Sequence, residues 1–159
     1  MSSQAARERL ARTQAALVRA LAQGAPAPAG FDTERVRESA AALLSKRRRW
    51  VERAWPRLAA ALGESFRSRF DAWALEHPME LEANPRAEGR RFADALLAAA
   101  EFPDAAREEL FFFDMRYQLT EHGLVERRGL GVKALWRRPA RLLAARLPWG
   151  QVLWVRLPF

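Results

Sequence analysis

RVRESAAALLSKRRRWVERAWPRLAAALGESFRSRFDAWALEHP, residues 35–78, is the stretch from which the fold is read. Val51, Trp55, Leu58, Leu62, Phe66, Phe70 and Trp73 follow one another at steps of three or four residues. A helix turns once in 3.6 residues, so such steps gather side chains on one face. Two residues cut the stripe. Pro56 has no N–H and biases Trp55 away from helical angles, so it suits the first turn of a new helix. Gly63 suits a helix C-cap. The stretch predicts two or three consecutive helices folded back on one another. Trp55, Leu58, Phe66 and Phe70 are expected in one core that Phe92 and Leu110 join from later helices.

On the N-terminal side, Gly24, Pro26, Pro28 and Gly30 mark a loop. Asp32 or Thr33 supplies the N-cap of the helix that follows. Ahead of the loop, residues 4–22 carry Leu10, Gln14, Leu17 and Leu21 on one face, an amphipathic helix of about five turns expected to pack conventionally. On the C-terminal side, Asn84 as N-cap and Pro85 in the first turn open a helix with Phe92, Leu96 and Ala99 inward, ending near Glu101. Pro103 and Asp104 begin another, with Leu110, Phe113 and Tyr117 on one face. The run Phe111, Phe112, Phe113 cannot all face one way, so at least one ring should meet the C-terminal segment or a partner.

From Gly129 the period changes to two and β-forming residues take over. Strands are expected at 132–137, 141–147 and 152–157. The predicted fold is mainly α: a multi-helix bundle over residues 1–123 and a basic appendage over 124–159, a small C-terminal antiparallel β-sheet of about three strands. With an odd hairpin loop, Leu147 faces Leu153, Ala145 faces Val155 and Leu143 faces Leu157, a wholly apolar face. The other face then sets Arg146 across from Trp154 and Ala144 across from Arg156.

The chain has 159 residues and no cysteine, which excludes disulfides and thiol chemistry. Its net charge of +8 is unevenly placed. Residues 1–126 hold as many acidic as basic side chains, whereas residues 127–159 hold eight basic ones and no acid. Such asymmetry points to an anionic partner. The candidate binding residues are Arg137, Arg138, Arg141, Arg146, Trp154 and Arg156, with Arg146, Trp154 and Arg156 on an open face. The same pattern also fits a solvated face with a self-satisfied cation–π pair. Arg47, Arg48 and Arg49 spread around a helix circumference, which favours solvent-facing positions over a nucleic-acid patch.

No residues with catalytic spacing stand out. His77 and His122 lie far apart and outside any metal-binding spacing, and His77, before Pro78, suits a structural cap. No serine occupies a nucleophile elbow, and Gly129-Leu130-Gly131 lacks the rest of a phosphate loop. The expectation is a protein that is not an enzyme, with no catalytic residues, no metal site and no cofactor. The Arg- and Ala-rich start is no signal peptide, and no apolar run approaches bilayer length, so a cytoplasmic protein without membrane association is expected.

Gln14, Leu17, Leu21, Gly24 and Pro28, then Gly30-Phe31-Asp32, Arg35, Trp55-Pro56, Leu62-Gly63, Phe66, Phe70 and His77-Pro78 stand in a distinctive order. Gly89, Phe92, Leu96 and the stretch 104–110 continue it. Over roughly residues 10–115 the chain resembles the HvfC/BufC-type N-terminal helical domain, a family also labelled DNA-binding. The resemblance implies an accessory partner of iron-dependent oxidases that modify ribosomally made peptides, with the iron held by the oxidase. It implies help in recognising the precursor peptide. Relatives carry a longer C-terminal peptide-recognition module than the short tail here. Two function classes follow: a subunit binding a partner enzyme or acidic peptide through strand addition at the tail, and a DNA-binding protein using the basic C-terminal segment. No helix carries the basic and polar spacing of a DNA reader, which favours the first.

Overall fold

The computed structural model describes residues 3–78, 84–137 and 140–157. Among them lie helices α1 (Ser3–Gln23), α2 (Thr33–Ala54), α3 (Pro56–Leu62), α4 (Ser65–Glu76), α5 (Pro85–Ala98) and α6 (Arg107–Arg116). Strands β1 (Tyr117–Thr120), β2 (Gly123–Glu126), β3 (Gly131–Arg137), β4 (Ala140–Arg146) and β5 (Val152–Leu157) follow. The chain is mainly α with a three-stranded antiparallel sheet at its C-terminal end, as the sequence predicts.

The helix starts obey local chemistry. Asp32, not Thr33, caps α2, its carboxylate accepting from Glu34 N at 3.0 Å and Arg35 N at 3.2 Å. Asn84 caps α5, accepting from Arg86 N at 2.9 Å and Ala87 N at 3.3 Å, with Pro85 in the first position. The end of α5 comes at Ala98, three residues before the expected Glu101. There Ala100 takes a left-handed φ of 57°, and Ala100 N and Glu101 N close back on Leu97 O and Leu96 O.

Residues divide into two compact units, one of Met1–Val51 with Glu64–Ala83 and the other of Glu52–Gly63 with Asn84–Phe159. The sequence boundary at 123/124 falls within the second unit, inside β2. Trp55, Leu58, Phe66, Phe70, Phe92 and Leu110 are all buried. Phe66 and Phe70 belong to the first unit and the other four to the second.

In the first unit the arginine run corrects the solvent-facing expectation. Arg47 is buried, and its guanidinium donates to Ala74 O at 2.9 Å and His77 O at 2.6 Å, satisfying carbonyls that the end of α4 leaves open. Arg48 clasps both oxygens of Asp71 on α4. Only Arg49 of the three is exposed. Phe66, Phe70 and Trp73 stack in sequence along α4, with the His77 ring 4.8 Å from that of Trp73. His77 Nδ1 lies 2.8 Å from Trp73 O, the capping role the sequence suggests.

In the second unit Trp55 sits just ahead of Pro56 with its indole N–H donating to Arg86 O at 3.1 Å. Its ring centroid lies 4.8 Å from that of Phe113. No side chain adjoining α3 in sequence caps that helix. Glu109 of α6 does so from 51 and 52 residues away, accepting from Leu58 N at 2.8 Å and Arg57 N at 3.2 Å. Tyr117, expected on the last helical face, instead opens the β1–β2 hairpin, in which Tyr117 pairs with Glu126 and Thr120 with Gly123. Thr120 Oγ accepts from His122 N and donates to Gly123 O, so the turn outcompetes another helical turn.

Candidate functional site

The tail sheet runs β3-β4-β5, antiparallel throughout. Its last hairpin closes on three residues, Pro148 to Gly150. Leu147 N donates to Gln151 O at 2.8 Å, and Gly150 at φ 89° supplies the left-handed position such a loop requires. This turn fixes the register. Ala144 stands opposite Trp154 and Leu142 opposite Arg156. The expected partners of Ala144 and Arg146 are therefore displaced by two residues, which leaves the membership of the faces unchanged.

What changes is which face is covered. The expectation placed Arg146, Trp154 and Arg156 on an open face, and the structure turns that side toward α6. Leu142, Ala144, Phe111 and Met115 form its buried centre, with Phe112, Leu135 and Val152 packed around them. Arg146 is only 8% exposed. Its guanidinium donates to Met115 O at 2.7 Å, Gly129 O at 3.1 Å and Arg128 O at 3.2 Å. Arg156 pairs with Glu108, which also holds Arg57 of α3. Lys133 Nζ lies 3.0 Å from Asp114, whose other oxygen takes Arg90 of α5 at 3.1 Å. Trp154 meets Phe112 edge-on at 5.6 Å while keeping much of its surface in water.

The physical reason is complementarity. Along α6, Glu108, Phe111, Phe112, Asp114 and Met115 offer an apolar centre with carboxylates beside it and an open carbonyl at the end. The strand face with apolar residues in the middle and cations at its margins matches that pattern. A wholly apolar face would have left Glu108, Asp114 and the Met115 carbonyl without these partners.

Of the six candidate binding residues, the fold thus brings Arg146, Trp154 and Arg156 to the α6 side. Arg141 lies on the outward face, its guanidinium 5.6 Å from the Trp136 ring centre. Arg137 ends β3 with its side chain outside the described residues, and Arg138 lies outside them altogether. A cleft of about 230 Å³ is bordered by Arg127, Lys133, Arg146 and Asp114. Much of its polar lining is already engaged, with Arg127 Nε donating to Tyr117 O at 2.9 Å and Lys133, Arg146 and Asp114 paired as described.

Sequence reasoning recognised the opposite, apolar face but put Arg146, Trp154 and Arg156 on the open side, whereas it is the apolar face that is outward. Val132, Trp136, Leu143, Leu153 and Val155 share it by register and are all exposed. The signal was present in β3, where Val132, Ala134 and Trp136 alternate with Gly131, Lys133 and Leu135. Among the described residues no group of three or more His, Asp or Glu side chains is placed to hold a metal ion. No helix among them is long and apolar enough to cross a membrane.

Glu109 is the group whose acidity the fold alters. Burial raises its pKa above the ordinary 4.5, while the N–H groups of Leu58 and Arg57 and the Arg57 charge pull the other way. Its role at α3 is structural.

Comparison with known proteins places the helical segment. Residues 11–98 match the family model described as "SCO6045-like, C-terminal domain". A "UPF0276 protein" of Streptomyces avermitilis is 42% identical over 106 residues, 66% of this chain and 21% of that protein. The chain thus spans about a fifth of the length of this curated relative. No solved structure matches. The family match runs from within α1 to the last residue of α5, more than half of the chain, and on that ground the chain belongs to the SCO6045-like C-terminal domain family.

Proposed function

We propose that this chain is a non-catalytic accessory protein that binds a partner enzyme or its precursor peptide in ribosomal-peptide modification, the enzyme being an iron-dependent oxidase that carries its own metal. The observation that carries this reading is the relative from Streptomyces avermitilis, in which the matched segment is only 21% of the protein. There a segment of this kind shares one polypeptide with a much larger remainder, the setting expected of a module that assists another domain. The resemblance to oxidase partner proteins supports the same reading. An alternative, DNA binding through the basic C-terminal segment, draws on the net charge of +8. Weighing against it, Lys133, Arg146 and Arg156 already direct donors to Asp114, to backbone carbonyls and to Glu108.

The test is a pair of calorimetric titrations of the full chain at two salt concentrations. One uses the purified peptide-modifying oxidase encoded nearest to this chain, and the other uses duplex DNA. The expected result is saturable oxidase binding, with DNA binding weak and falling steeply with salt, at a log–log slope of about −0.9 per phosphate neutralised. Tight DNA binding with no oxidase binding would overturn the reading.

A further inference from the structure

An antiparallel sheet covered on one side ordinarily turns its polar residues to water and its apolar residues inward. In the tail sheet the assignment runs the other way. Lys133, Arg146 and Arg156 lie on the side covered by α6, as described above. The open side presents Val132 at 67% exposure, Trp136 at 63% and Leu153 at 55%, with Leu143 and Val155 between them. Arg141 is the charged side chain that the described residues place on that face. The fold thus leaves a contiguous apolar surface in water, an arrangement that marks an interaction site.

We propose that the outward face of β3-β4-β5 is a protein-docking surface whose occupant is a partner with an apolar centre rimmed by carboxylates. This rests on the accessory reading and names the surface through which the partner enzyme is held. Charge selects the occupant. Residues 127–159 hold eight basic side chains and no acidic one, and Arg141 stands on this face beside Trp136. A carboxylate rim meets these cations and speeds encounter, while apolar contact in the centre sets the lifetime of the complex. Area argues against a second copy. Three strands at ~4.8 Å spacing and about six residues long make a face of roughly 300 Å². A standard interface takes about 800 Å² from each partner. Two copies would have to find the remainder between rims of like charge, whereas an acidic rim extends the contact favourably.

The test compares the full chain with Leu153→Glu/Val155→Glu on one edge strand and, separately, with Val132→Glu on the other. Circular dichroism and thermal melts identify any variant that has lost its fold, and two distant sites keep one available. Each protein is titrated with the purified oxidase and, independently, with bis-ANS, an apolar dianion that mimics the chemistry of the proposed occupant. The expected result is wild-type binding to both probes. Both folded variants should bind the oxidase at least 100-fold and the dye at least tenfold more weakly. Variants that bind as wild type does, or a wild type that takes up no dye, would overturn the surface. A concentration-dependent dimer that the variants abolish would assign the face to a second copy and overturn the acidic partner. Dye binding on this face without oxidase binding by the wild type would overturn the accessory reading and the occupant named here.

Discussion

Gly89 lies against the indole of Trp55: a Cβ built on it would come within 2.1 Å of Cδ1 and 2.3 Å of Nε1. The same indole donates to Arg86 O one turn earlier on α5 and meets Phe113 on its other side. The ring therefore has little room to retreat. Gly89→Ala should destabilise the protein by about 1–3 kcal/mol, the usual range for overpacking a filled core. A melting temperature equal to that of wild type would show that the ring moves freely and that the close approach is not required.

Arg146 provides a second test. It satisfies three carbonyls on the covered side of the sheet, and Gly131 opposite it leaves only 3.0 Å between a would-be Cβ and Nη2. Arg146→Met keeps most of the apolar stem but removes every donor. The cost should be about 3 kcal/mol, because buried carbonyls without partners are expensive. Denaturant titration measures it; a loss below about 0.5 kcal/mol would place this side chain among ordinary surface arginines.

At Ala100 the chain pays for a left-handed residue that carries a Cβ. Ala100→Gly removes the clash at the helix end and should stabilise the protein by about 1 kcal/mol, against a smaller opposing entropy term in the unfolded chain. The check is the midpoint of a urea transition, which should rise. A lower midpoint would mean that the backbone there is relaxed.

The acidity of Glu109 predicts a pH effect of definite sign. Burial raises its folded pKa above 4.5. Between those two values the native state holds more proton than the unfolded chain, so stability falls as pH rises. The favourable contribution is complete below 4.5 and is lost as pH climbs through the raised value. Glu109→Gln keeps an oxygen for Leu58 N and Arg57 N but cannot ionise. Its melting temperature, relative to wild type, should therefore improve as pH rises through that window. Parallel curves for the two proteins would contradict the assignment.

Much of the architecture was legible because it depends on neighbours in sequence. Pro56, Asp32, Asn84 and Pro85 act on the turn in which they stand, and the steps from Val51 to Trp73 identify buried positions without knowledge of their partners, the half-buried Leu62 excepted. Tyr117 misled because a three- or four-residue step reads as helix until a turn competes with it, and Thr120 and Gly123 supply that turn. The candidate site was harder. Counting acids within residues 127–159 leaves Lys133, Arg146 and Arg156 without partners, yet Asp114, Glu108 and the Met115 carbonyl lie in the preceding helix. Apolar alternation identified the two faces of the tail sheet, but the choice between them depended on charges and carbonyls of α6. Comparing Glu108, Phe111, Asp114 and Met115 with both strand faces would have exposed the match.

The cap of α3 has a consequence for how such domains can be recombined. The family match ends at residue 98, within the same unit as α3 and Trp55. The carboxylate that completes α3 and the Phe113 ring beside Trp55 both come after it. A chain in which a different C-terminal portion followed residue 98 would have to provide afresh an acceptor for Leu58 N and Arg57 N and a ring for Trp55. The helical segment is therefore not a freely exchangeable cassette: a replacement tail must complete its architecture as well as bring whatever binding surface it carries.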